Sequence, residues 1–223
     1  MFLTLVLIMM SSAFAMAQET YGIKIAGEYI TGYNRYDLTE INGVSGKVYF
    51  DPNTRTLTLD NATIEADGSN AILNQDCDYL VIELIGTNTI IYLQQETSIL
   101  GTSGSKLTIT SNKGAVLFEN SPLEINNCWL EVEGKWGISA GNNVAEEVLT
   151  IRNSHVEAKG TSGSICDISG LKLEESYIYS PYNAAYDADT KSVAVNGVTV
   201  KEKVVIEPGY GFKIAGEDVT SLN

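Results

Sequence analysis

Trp129, His155 and Tyr177, and two residues after each of them Glu131, Glu157 and Tyr179, have the types and spacing to do chemistry together. Rings of this kind cover the apolar faces of pyranoses, and carboxylates beside them accept hydrogen bonds from sugar hydroxyls. Glu131 and Glu157, if carried on neighbouring strands about 5 Å apart, also have the separation of a carboxylate pair that flanks a glycosidic bond. Arg152, the one arginine in this half of the chain, would then neutralise charge and outline a lyase-type site with them. His155 is the only histidine, so a His-based triad has no independent support. Stacked side chains of these types also stabilise strand pairing with no ligand at all.

Which of these chemistries is available depends on the repeat that carries the residues. Its clearest copy runs from Leu149 to Gly160 (LTIRNSHVEAKG), with earlier copies starting at Leu57, Leu80, Leu107 and Leu123 and a later one at Leu171. Leu149 and Ile151 alternate with polar Thr150 and Arg152, the period of a strand with one buried face. Asn153 breaks the run, and Val156 and Ala158 resume it, so each unit is strand, bend, strand. The starts lie 23, 27, 16, 26 and 22 residues apart, the signature of a solenoid whose rungs bury their apolar faces against one another. With strand periodicity throughout, the expected fold is all-β: a right-handed, single-stranded parallel β-helix with rungs about 4.8 Å apart.

The fifth position of the unit holds Asn61, Leu84, Ser111, Asn127, Asn153 and Glu175. Asparagine tolerates left-handed bends and bonds to nearby backbone, so this column is expected to build corners. The eighth position is mainly aliphatic (Ile64, Leu130, Val156, Ile178), which turns the seventh and ninth outward. That register predicts Trp129, His155 and Tyr177 one above another, with Glu131, Glu157 and Tyr179 beside them. Trp136, Tyr182 and Tyr186 are secondary ring candidates.

Four regions follow. Residues 1–18 have a signal-peptide pattern, with an apolar run from Phe2 to Met10 and small residues before Gln18, and the run is too short to span a membrane permanently. Residues 19–56 are expected to form an N-terminal β cap, with a hairpin at Ala26-Gly27 and a turn at Asp51–Thr54. Residues 57–180 are the coil, with outward loops at 94–105 and 137–147. Residues 181–223 hold a hairpin at Asn196-Gly197 and a second copy of the opening motif: YGFKIAGEDVT from Tyr210 echoes YGIKIAGEYIT from Tyr21. That echo suggests a tandem array cut after one module, or alternatively a closing cap.

The net charge of −14 argues against nucleic acid and anionic membrane surfaces, both of which need Lys and Arg. The three cysteines, Cys77, Cys128 and Cys166, match no zinc spacing and are expected as buried thiols, with one disulfide left open. Asp187-Ala188-Asp189 begins like an EF-hand loop but lacks its glycine and terminal glutamate, so it is taken as a turn. No cofactor and no metal site are expected. Paired aspartates and a Gly-His-Gly, the patterns of pectinase-like hydrolases, do not occur.

The string YGIKIAG…VYFDPNTRTLTLDNATI followed by LxIxN rungs resembles β-helix modules of secreted and surface proteins of gut anaerobes. Some of those are labelled carbohydrate-binding for their likeness to pectate-lyase-type β-helices. The resemblance covers nearly the whole chain after residue 18 and implies a glycan as partner, while the signal-peptide pattern of residues 1–18 implies a secreted, periplasmic or cell-surface location. The leading expectation is therefore a non-catalytic module, a monomer or one unit of an array, that binds carbohydrate through the ringed strip. A structural spacer or adhesin repeat is the alternative, and a divergent polysaccharide lyase the second alternative.

Overall fold

The computed structural model describes residues 19–66, 70–89, 92–93, 97–101, 105–141, 144–209, 212–214 and 217–219; the signal-like segment 1–18 lies outside the described residues. The chain enters through an antiparallel hairpin, β1 (Thr20–Ile25) and β2 (Glu28–Thr31), whose two turn residues, Ala26 and Gly27, take left-handed angles. A 3-10 turn at Leu38–Glu40 leads to β3 (Val44–Asp51), which folds back antiparallel on β4 (Thr56–Ile64). The turn between them is fixed by Asp51, whose Oδ1 accepts the Asn53 N–H at 2.9 Å.

From β4 the backbone winds through stacked coils, about 4 turns of a β-solenoid. Next in the chain come β5 (Ile72–Asn74), β6 (Leu80–Ile85), β7 (Thr87–Thr89), β8 (Tyr92–Leu93), β9 (Thr97–Gly101) and β10 (Lys106–Thr110). They are followed by β11 (Gly114–Phe118), β12 (Leu123–Asn126), β13 (Trp129–Ala140), β14 (Val148–Arg152), β15 (His155–Cys166) and β16 (Gly170–Glu174). One parallel stack is β4-β6-β9-β12-β14-β16. A second is β7-β10 with the first halves of β13 and β15. A third side holds the parallel pairs β5-β8 and β11-β13, the latter continued by the second half of β15. Inward residues of these strands, among them Leu57, Ile82, Ile99, Ile125 and Ile151, are fully buried. Each such side chain contributes about 1.5–3 kcal/mol on leaving water.

The register differs from the sequence-based one in two places. Leu57 pairs with Ile82, not with Leu80, so the first unit is shifted by two residues. The rung between Ile82 and Ile125 is supplied by Ile99 of β9, a strand lying inside the expected loop 94–105. Leu107 accordingly belongs to the second stack, where it pairs with Leu130, and the irregular 16-residue step from Leu107 to Leu123 disappears. The expected loop at 137–147 also begins late, because β13 continues to Ala140.

Corners are built as the asparagine column implies. Asn61, Asn127, Asn153 and Glu175 all take left-handed backbone angles, with φ of 48°, 53°, 40° and 48°. Asn153 Nδ2 donates to Asn127 Oδ1 at 3.3 Å, and Asn127 Nδ2 donates to the Gly101 carbonyl at 3.0 Å. Leu84 and Ser111 do not join this column; in Leu84's coil the bend falls at Gly86, φ 68°, where a Cβ would sit 2.3 Å from Asn61 Oδ1. The larger corner between the second and third sides needs Gly160, whose Cβ would lie 2.0 Å from the Gly163 carbonyl oxygen.

Beyond the coil lie β17 (Ser176–Ser180), β18 (Ala185–Asp187), β19 (Ser192–Val195), β20 (Val198–Thr199) and β21 (Val204–Pro208). Asp187 Oδ1 accepts the N–H groups of Asp189 and Thr190 at 2.9 and 3.0 Å, the turn expected there, and Asn196-Gly197 closes the β19–β20 hairpin with φ of 52° and 74°. The echo of the opening motif pairs antiparallel as β22 (Phe212–Ile214) and β23 (Glu217–Val219), matching the β1–β2 hairpin in order and sense. Cys77, Cys128 and Cys166 are buried free thiols, and burial pushes the thiols of Cys128 and Cys166 up to about 12.

Candidate functional site

The outward column of the second stack runs Thr87, Lys106, Trp129, His155, and the column beside it Thr89, Thr108, Glu131, Glu157. Two of the expected neighbours are thus placed together. The Trp129 and His155 rings lie 4.3 Å apart between centroids at an interplanar angle of 49°, and Glu131 and Glu157 are cross-strand partners. Trp129 stands 43% exposed with the Lys106 ammonium 5.2 Å from its ring centre.

Tyr177 is not the third ring of that column. The strand that follows β15 is β21, running antiparallel, and β17 lies on β21's far edge. Val204 and Ile206, both fully buried, cover Ala158 and Val156, so the rung that would have carried Tyr177 beside His155 is occupied. Glu207 takes the place opposite Tyr177 and reaches His155 instead, its Oε2 lying 2.8 Å from Nδ1. Tyr179 is 57% exposed on β17, on the same displaced strand. Arg152 is also elsewhere: it is on the first stack, paired with Glu124 at 3.6 Å and with Glu174, so it forms no site with Glu131 and Glu157. Of the secondary candidates, Trp136 lies on the third side opposite Gly114, and the Tyr186 hydroxyl is spent on the Ile168 carbonyl.

Three lysines supply the cations that the sequence reading left out. Lys106 pairs with Glu131 at 2.8 Å, Lys159 with Glu133 at 2.7 Å, and Lys203 with Glu157. Lys203 arrives from the segment just before β21, far along the chain, with no local pattern to announce it. Lys106 was legible: the alternation Lys106-Leu107-Thr108-Ile109 turns it outward once Leu107 is placed in the second stack. A shallow groove beside these pairs is lined by Thr108, Thr110, Glu131, Glu133 and Lys203.

Those pairs decide what the face can do chemically. The Lys203 ammonium, with a smaller contribution from His155, holds the Glu157 carboxyl below its ordinary range, and Glu157 in turn raises Lys203. A general acid in glycoside hydrolysis needs a carboxyl shifted upward, the opposite direction. A lysine held in its charged form is a poor proton acceptor. The face offers a half-exposed indole, hydroxyls and carboxylates with spare acceptor positions.

Comparison with known proteins returns no matching family model, no similar curated protein and no similar solved structure. Among the described residues there is no His/Cys/Asp/Glu group that could hold a metal ion, and no helix long and apolar enough to cross a membrane.

Proposed function

We propose that this chain is a non-catalytic, extracellular or surface-displayed solenoid module that binds carbohydrate at Trp129. The observation that carries the reading is the half-exposed indole held between Lys106 and His155 and framed by Glu131 and Glu157. A ring kept on a strand ladder is preorganised, so little ordering entropy is lost when a pyranose stacks on it. Neutral glycans fit best: each lysine of the strip already has a carboxylate, and the chain carries a net charge of −14. Glu131 and Glu157 remain part of the site as hydrogen-bond acceptors, while Tyr177 and Tyr179 drop out of it.

A second reading, a rigid spacer or adhesin repeat, is favoured by the closure of the same charges into pairs, since such ladders also stabilise strands without a ligand. A glycan array probed with the protein and with Trp129→Ala separates the two. Binding that falls at least tenfold in the variant supports the carbohydrate reading. Equal binding by both moves the site off this face, and no binding by either leaves the spacer ahead.

A further inference from the structure

The opposite end of the coil carries a cleft whose charges are not closed. Its walls are Tyr21 of β1, Phe50 and Pro52 at the β3–β4 turn, and the exposed Arg55, Asp76 and Asp78 with Cys77 between them, around an open depression of about 220 Å³. Tyr21 and Phe50 form an aromatic floor, centroids 5.2 Å apart. The loop is tied by hydrogen bonds: buried Asn74 donates from Nδ2 to the Cys77 carbonyl at 2.9 Å and accepts the Cys77 N–H at 3.0 Å, while the N–H groups of Gln75 and Asp76 bond to the Gly22 carbonyl. Arg55 and Tyr79 both take left-handed angles, φ 54° and 56°, a conformation uncommon for bulky side chains. The Arg55 guanidinium lies 5.9 Å from the Tyr79 ring centre, at a ring that is 62% exposed.

Arg55, Asp76 and Asp78 make no ion pair among the described residues, whereas the lysines of the Trp129 strip are each matched to a glutamate. An anion alone would meet two aspartates in this cleft, and a cation alone would meet Arg55. A molecule carrying both satisfies all three groups, the carboxylate forking onto the guanidinium and the ammonium donating to the aspartates. The ring floor and Pro52 suit a small apolar body between them. Burial raises the Cys77 thiol, so the floor adds no further negative charge.

We infer that this cleft binds a compact zwitterion of amino-acid size with an apolar side chain. The inference stands apart from carbohydrate binding at Trp129. The test is calorimetric titration of the protein at neutral pH with leucine and phenylalanine, beside N-acetyl-leucine and leucinamide, each of which lacks one charge. Saturable binding of leucine or phenylalanine is expected, at least tenfold weaker for both blocked forms. Arg55→Met and Asp76→Asn/Asp78→Asn are expected to weaken leucine at least tenfold, with an unchanged far-ultraviolet spectrum. No saturation by either amino acid up to about 10 mM, tenfold above a millimolar Kd, overturns the inference. So does a blocked form that binds as well as leucine, or an affinity that both variants leave unchanged.

Discussion

The Trp129 strip and the Arg55 cleft are both outward surfaces of the same coil, but they treat charge in opposite ways. On the strip, Lys106 and Lys159 are each matched to a glutamate of the neighbouring strand, Lys203 reaches Glu157 from the segment before β21, and His155 is held to Glu207. In the cleft, Arg55, Asp76 and Asp78 come from turns, line one open depression, and make no ion pair among the described residues. The difference follows from backbone type. A ladder brings directly opposite side chains to about 4.5–5.5 Å and diagonal ones within reach of long side chains, which favours opposite charges on neighbouring strands, as in Lys159–Glu133 and the diagonal pair Lys106–Glu131. Turn residues have no such partner, which leaves their charges available to something else. Paired charges around one half-exposed ring suit a neutral ligand; unpaired charges suit a charged one.

The comparison can be broken first at the strand that closes the strip. Ile206 of β21 is fully buried against the β15 and β17 ladders, so Ile206→Ala is expected to cost about 2–5 kcal/mol in urea unfolding. Leucine binding at the distant cleft should survive in that variant while it remains folded. Next in size is Arg55→Met: at least a tenfold loss of leucine affinity, about 1.4 kcal/mol, with stability unchanged within about 0.5 kcal/mol.

A smaller effect concerns pH. Glu157 is depressed in the folded state, so its contribution is present above the unfolded carboxyl value and lost as pH falls through the lower folded one. Lys203 is raised, so its contribution is complete below the unfolded lysine value and lost as pH rises through the higher folded one. Glu157→Gln is therefore expected to flatten both limbs of the stability profile, below about pH 4 and above about pH 10. At the plateau, Lys203→Met should cost about 0–1 kcal/mol, the range for exposed pairs.

Much of the coil was legible in the sequence, because one-face burial imposes a period-two pattern that Leu149, Ile151, Val156 and Ala158 carry openly. The asparagine bends were legible for the same local reason: Asn127 and Asn153 both turn the chain with left-handed angles. What failed was non-local. Nothing near Tyr177 signals that a strand from Val204–Pro208 will lie between it and His155, since the match is one of shape across the end of the coil. The rung at Thr97–Gly101 was missed because only Ile99 and Leu100 mark it, within a stretch of polar and small residues. Arg152 was misplaced because a single alternation gives outwardness but does not say which side of the coil is outward. Of the candidate site, the Trp129–His155 and Glu131–Glu157 pairings came from register alone, and Lys203 and Glu207 came only with the structure.

The most direct test of carbohydrate binding at the strip compares Trp129→Ala with Tyr177→Ala, measuring affinity for the best oligosaccharide from the array. The account predicts at least a tenfold loss for Trp129→Ala, about 1.4 kcal/mol, and a near-native value for Tyr177→Ala, because β21 separates that ring from the site. Loss in Tyr177→Ala with full binding in Trp129→Ala would contradict it and place the ligand on β17.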